Sequence, residues 1–204
     1  MKYDAVVFDL LTALIDSWTL WNDVAGNAED GMHWRRRYLQ ITYGCGSYRP
    51  YESLVREAAR DVGLPEHFGT ELERRWDELQ PWPEVHAVLS TITLPLAVAT
   101  NCSVRLGQRA ANRVGVPFAR VETAESIGFY KPRPEVYRAV LRTLGTAPER
   151  TLFVAGSPSD VPGAKSVGMP VYWHNRIGLP PRDDATPDFL ETSLKPLGDL
   201  LGPG

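Results

Sequence analysis

Three short runs of the chain, "DAVVFD", "LPLAVAT" and "TLFVAG", are hydrophobic almost without interruption. A strand with one face in water alternates apolar and polar residues, whereas a strand covered on both faces does not need to. Such runs therefore require helices above and below a sheet, and the intervening segments supply them. "RPEVYRAVLRTLG" places Val136, Tyr137, Val140, Leu141 and Leu144 on one helical stripe and ends in Gly145, a stop signal. "SVRLGQRAANRVG" has the same character, and "SDVPGAKSVG" shares it in spite of its proline and glycines. Two further runs, "FARVETA" and "MPVYW", complete five strands alternating with helices. That alternation predicts an α/β fold, a Rossmann-like doubly wound parallel sheet.

The spacing is uneven. About ninety residues lie between the first run and the second, where one crossover needs about a dozen or somewhat more. "YESLVREAARDVG" puts Leu54, Val55, Ala58, Ala59 and Val62 on one face, and "PEHFGTELERRWDELQ" follows before "PWP" interrupts. We therefore expect a helical cap over residues 15–80, inserted after the first strand, and a catalytic core made of 1–14 and 81–204. The segment "PPRDDATPDF" reads as loop.

Charge narrows the partners. A formal net charge of −3, with basic residues scattered apart from Arg35, Arg36 and Arg37, offers no field for nucleic acid. No apolar stretch approaches the ~20 residues of a membrane helix. The start, "MKYDAVVFD", meets an acidic residue too early for a signal peptide. The expected setting is the cytoplasm, without a membrane partner. There the two cysteines, Cys45 and Cys102, are expected as reduced thiols. The histidines at 33, 67, 86 and 174 show no metal-ligand spacing.

Ligands of a parallel sheet bind outside the carboxyl ends of its strands. Here those ends are polar: Asp9 closes the first run, Thr100 and Asn101 the second, and Ser157 to Asp160 follow "LFVAG". Lys131 comes after the third strand. Taken singly, each has a structural reading: Asp9, Thr100, Asn101 and Asp160 as helix caps, Lys131 as a turn residue, Tyr137 as core, Arg35 as part of a solvated helix face. Their convergence on one sheet edge argues for an active site.

The order of these groups resembles the haloacid dehalogenase superfamily, and within it the 2-haloacid dehalogenase branch. "VVFDLLTALID", "VATN", "YKPRPEVY" and "LFVAGSPSDVPGAKSVGMPVYWHNR" are similar to its four motifs. "WRRRYLQITY" and "YRPYESLVREA" are similar to the dehalogenase cap. The resemblance implies catalytic roles for Asp9 as nucleophile, Lys131 as its partner and Asp160 near the hydrolytic water. It implies substrate contacts from Arg35 at the leaving halide, Thr100 at the substrate carboxylate, Asn101 beside the leaving group, and Tyr137, Ser157 and Leu11. It also implies a small carboxylic acid as substrate, an aspartyl-ester intermediate, no cofactor, and a homodimer joined through the cap. A nearby cation keeps a buried carboxylate ionised, and loss of water makes it a better nucleophile.

The sequence departs from both branches of the superfamily. Its phosphatases carry a second aspartate where Leu11 stands, and a magnesium-holding acid where Ala155 and Gly156 stand. Dehalogenases carry an aromatic residue at the Leu11 position and a glycine-threonine pair at Thr12-Ala13. The hydroxyl four residues after the nucleophile is therefore expected to be lost, and Thr12 to be unable to replace it without a backbone change. Serine and asparagine of the fourth motif are replaced by Ala155 and Ser157. Two alternatives stand beside the dehalogenase reading: a magnesium-dependent phosphohydrolase, and a binding protein with a degenerate site.

Overall fold

A computed structural model describes residues 2–182 and 185–201. The chain opens with β1 (Ala5–Phe8) and a two-residue strand, β2 (Ile15–Asp16). Four helices follow: α1 (Ser17–Ala25), α2 (Ala28–Gly44), α3 (Tyr51–Asp61) and α4 (His67–Arg74). It returns through β3 (Gln80–Pro81), which pairs antiparallel with β2, so that the helical insertion leaves and rejoins the core through a narrow ribbon. The core continues as α5 (Val85–Leu89), β4 (Leu96–Thr100), α6 (Val104–Val114), β5 (Arg120–Thr123), α7 (Ala124–Ile127) and α8 (Pro134–Leu144). It ends with β6 (Thr151–Ala155), α9 (Asp160–Lys165), β7 (Val171–His174), β8 (Phe189–Glu191) and α10 (Lys195–Leu201).

The central sheet has six strands in the order β5-β4-β1-β6-β7-β8, all parallel. Its apolar runs divide between the two faces with the two-residue period of a strand. Val6, Phe8, Val98, Leu152 and Val154 join one core cluster. Val7, Ala97, Ala99, Phe153 and Ala155 join the other, beneath Val136, Tyr137 and Val140 of α8. Both faces are covered, which is why these strands show no alternation. The fold class is the α/β sheet with a helical cap that the sequence implied.

The cap is stitched to the core by side chains that bury an apolar body and present one polar atom. Trp21 packs on Trp34, with ring centroids 4.5 Å apart, and on Tyr38 at 5.7 Å. These rings belong to the same cluster as Val6 and Phe8. Trp76 donates its indole N–H to Leu106 O (2.9 Å). The Tyr38 hydroxyl donates to Asn101 O (2.9 Å). Ser103 donates to the Glu52 carboxylate (2.7 Å).

Two details differ from the sequence reading. The stretch expected as one helix breaks into α4 and a 3-10 turn, Trp76–Glu78, as Trp76 goes fully inside onto the backbone of α6. The sheet gains a sixth strand, because Phe189 of the expected loop starts β8 beside β7. Asp183 and Asp184 of that loop lie outside the described residues.

Candidate active site

Asp9 follows β1 and still donates its N–H to Val154 O (2.9 Å). The chain then turns tightly, with the amides of Leu14 and Ile15 both donating to Leu10 O (3.2 and 3.0 Å). This turn curls over the Asp9 side chain. Oδ2 accepts from the backbone N–H of Thr12 (3.0 Å), the N–H of Ala13 (3.1 Å) and the Thr12 hydroxyl. Thr12 was expected to be unable to replace the lost hydroxyl without a backbone change, and here its hydroxyl does reach Asp9. The turn brings Thr12 back onto the carboxylate one position early, while Ala13 contributes its amide.

Oδ1 of Asp9 accepts from the Lys131 ammonium at 2.7 Å, and the same ammonium lies 3.3 Å from the Asp160 carboxylate. All three residues are buried: Asp9 is 6% exposed, Lys131 2% and Asp160 3%. One cation thus serves two carboxylates out of water, and the three protonation equilibria are set against one another. Burial pushes the Asp9 carboxyl up, but Lys131 and the Thr12 and Ala13 donors outweigh it and hold Asp9 below the ordinary aspartate value. Burial also raises Asp160, the Asp9 charge adds to that, and Lys131 only partly offsets it, leaving the group at about 6. Burial lowers Lys131, but the two carboxylates lift it above the usual lysine value.

Second contacts fix this triad. The Asn101 carboxamide clamps the Lys131 backbone, donating to its O (2.9 Å) and accepting from its N–H (2.7 Å). The Tyr137 hydroxyl donates to Asp160 Oδ1 (3.2 Å). Gly156, just after β6, touches the nucleophile turn so closely that a Cβ there would collide with the Ala13 amide nitrogen and the Thr12 hydroxyl.

A cavity of about 600 Å³ opens above Asp9. The core contributes Asp9, Leu11, Thr100, Asn101, Lys131, Ser157 and Asp160, as the sequence reading expected. Tyr137 was expected among the substrate contacts, and here the structure corrects the reading. It is fully buried behind Asp160, is absent from the cavity lining, and can act only through Asp160. Thr100 is also fully buried, with its hydroxyl 3.8 Å from Cys102 Sγ.

From α2, Arg35 lines the cavity and is 7% exposed. Its guanidinium donates to Ser17 Oγ (2.7 Å) and lies 3.9 Å from the centroid of the Trp18 ring. Ser17 in turn donates to Leu11 O. Burial lowers the Arg35 pKa from its ordinary value, although Asp9 and several tyrosines oppose that. Of the arginine triplet, Arg36 is an exposed residue at the cavity edge, and Arg37 turns away to pair with Asp61 (2.7 Å).

Several lining residues escaped the sequence reading. Met32, Leu39 and Tyr43 sit three residues before, and four and eight after, Arg35. That spacing places them on one helix face, so it was a usable signal. Leu179, Pro180 and Arg182 reach the cavity from the loop after β7, and no local pattern announces them.

The donor set does not suit magnesium, which wants several oxygen ligands in octahedral geometry. Asp9 and Asp160 are both spent on Lys131, and Gly156 has no room for a ligating side chain. Among the described residues there is no group of three or more His, Cys, Asp and Glu side chains able to hold a metal ion. Among the same residues no helix is long and apolar enough to cross a membrane.

A family model described as a haloacid dehalogenase-like hydrolase matches residues 3–168. The chain belongs to the haloacid dehalogenase-like hydrolases. Among relatives of this family, a haloacetate dehalogenase of Moraxella sp. (strain B) is 28% identical over 98% of each chain. A phosphoserine phosphatase of Thermus thermophilus is 33% identical over 71% of this chain and 62% of its own. A solved L-2-haloacid dehalogenase of Xanthobacter autotrophicus, with chloropropionic acid covalently bound, shares the fold. Its TM-score is 0.83 at 24% identity, over 97% of this chain and 98% of that one.

Proposed function

We propose that this hydrolase displaces halide from a small 2-haloacid through an ester on Asp9, without a metal or other cofactor, in the cytoplasm, beneath a cap spanning 15–80. The observation that carries the reading is the buried Asp9–Lys131–Asp160 cluster opening on a cavity that also holds Arg35. Asp9 is held ionised by one cation and shielded from bulk water, the state in which a carboxylate attacks carbon. Oδ2 carries three donors, so Oδ1 is assigned the attack on C2. The carbon–halogen bond breaks, its electron pair leaves with the halide, and the departing charge forms near Arg35.

In the second step, water attacks the ester carbonyl carbon. Charge then develops on Oδ2, where Thr12 N–H, Ala13 N–H and the Thr12 hydroxyl form an oxyanion hole already in place. Asp160 takes the water proton. The bond between Cγ and Oδ1 breaks, Asp160 returns its proton to the departing alkoxide, the 2-hydroxyacid leaves, and the Asp9 carboxyl releases the remaining water proton to become a carboxylate again. Single turnover in oxygen-18 water tests the route: the label is expected in Asp9 and not in the first product. Label in the first product, with Asp9 unlabelled, would refute it.

The phosphatase relative favours a second reading, hydrolysis of a phosphate ester. Leu11 offers no proton to an alkoxide leaving group, so halide suits the site better. Treatment with EDTA is expected to leave halide release unchanged. Turnover that vanishes with the chelator and returns with magnesium would transfer the assignment to the phosphatase class. Absence of turnover on any haloacid or phosphate ester would leave a binding protein.

Arg35→Ala is expected to lower kcat/KM by about 10²-fold, the usual order for removing one charge-stabilising donor. Arg37→Ala, on the Asp61 surface pair, should stay within about twofold. Equal losses from both would withdraw the halide role from Arg35.

The rate of ester hydrolysis should follow Asp160. Its base form is lost as pH falls through about 6. In the ester, Asp9 no longer carries the charge that helps raise Asp160, so when hydrolysis limits, log kcat should be flat at and above that point and decline by about one per pH unit only at lower pH. A profile without this limb would remove Asp160 from the proton transfer.

A further inference from the structure

The cavity is larger than a two- or three-carbon acid requires. At about 600 Å³ it falls within the roughly 300–1,000 Å³ of sites that enclose drug-sized ligands. The reacting end is served by Asp9, Lys131, Asp160 and Arg35, with the Thr12 and Ala13 donors. Beyond Arg35 the same face of α2 presents Met32, Leu39 and Tyr43, and Leu179 and Pro180 come from the loop after β7.

Charged and polar side chains, Arg36, Gln40 and Arg182, border that end as well. Arg182 donates to Ser159 Oγ (3.0 Å) and lies 5.1 Å from the centroid of the Tyr43 ring. The apolar part of this end is formed by the ring of Tyr43 and the side chains of Met32, Leu39 and Leu179.

We propose that the preferred substrate is a 2-substituted acid carrying an apolar arm longer than a methyl group, the arm lying against Met32, Leu39, Tyr43 and Leu179. This rests on the reading of Asp9 as the group that displaces the substituent. It adds to that reading the substrate's size and the residues that select it. An arm of this kind removes apolar surface from water on both sides, which favours the reacting complex of the longer acid over that of the shorter one.

Bromide release from racemic 2-bromohexanoate and racemic 2-bromopropionate tests it. Both react at a secondary carbon with the same leaving group, so their ratio of kcat/KM reports the arm. The longer acid is expected to win by at least about tenfold, since one methylene in an apolar pocket is already worth about that much. Met32→Trp and Leu179→Trp, which fill the space from the cap and from the loop, should each pull the ratio back toward one. Leu179 lies in a loop, so its variant serves if Met32→Trp does not fold.

Equal rates, or preference for 2-bromopropionate, would overturn the proposal while leaving the Asp9 displacement intact. A high ratio indifferent to both tryptophans would overturn the placement of the arm. No bromide from either acid would overturn the displacement reading, and the proposal with it.

Discussion

Asp9→Asn is expected to abolish halide release, with a loss of at least about 10⁴-fold, the scale seen when a covalent nucleophile is removed. The carboxamide is a poor fit as well as a poor nucleophile. In the native turn, Oδ2 accepts three hydrogen bonds and Oδ1 accepts from Lys131, so every neighbour is a donor. An asparagine must point its NH₂ at one of these groups. One donor then loses its acceptor inside the protein, which costs about 1–3 kcal/mol. The measurement pairs steady-state halide release with thermal unfolding. Residual turnover within about tenfold of wild type would mean that another group attacks carbon.

Lys131→Met should combine a large catalytic loss with a change in how stability depends on pH. Loss of the charge that keeps Asp9 ionised should lower kcat by about 10²- to 10³-fold. Two buried carboxylates would be left without a cation, an arrangement that costs about 3–5 kcal/mol at neutral pH. In the variant, burial and mutual repulsion lift both folded-state carboxyl pKa values above their unfolded values. A raised carboxyl favours the protonated native state. The variant should therefore be most stable under mildly acidic conditions and lose stability as pH rises through the raised values. Unfolding of wild type and variant at several pH values checks this. Parallel stability profiles would show that Lys131 is not the counter-charge of both carboxylates.

The sheet was legible because its strands are buried on two faces, and that leaves an unbroken apolar record in β1, β4 and β6. The converging polar groups were legible because a parallel sheet sends all its carboxyl ends to one side. Position in sequence could not report how the chain behaves after Asp9. Thr12 was discounted by counting residues, yet the turn closed on Leu10 O brings its hydroxyl onto Oδ2. Tyr137 shows the reverse case. It stands at the right place in its motif but packs on Phe153, with ring centroids 5.1 Å apart, and meets Asp160 from behind. Arg182 and Leu179 were invisible for a third reason: the loop after β7 crosses to the cavity by tertiary packing alone, with no periodicity to mark it.

The contact between Gly156 and the nucleophile turn bears on which chemistries this scaffold can reach by single mutations. An acidic side chain at 156 and the present path of Thr12 and Ala13 exclude each other. A lineage moving from here toward a magnesium-binding site would first have to rebuild the turn, giving up the donors on Asp9 before any new ligand arrived. Each change alone is harmful, and only the pair could be rewarded. The glycine therefore works as a ratchet, making the present chemistry easier to keep than to exchange.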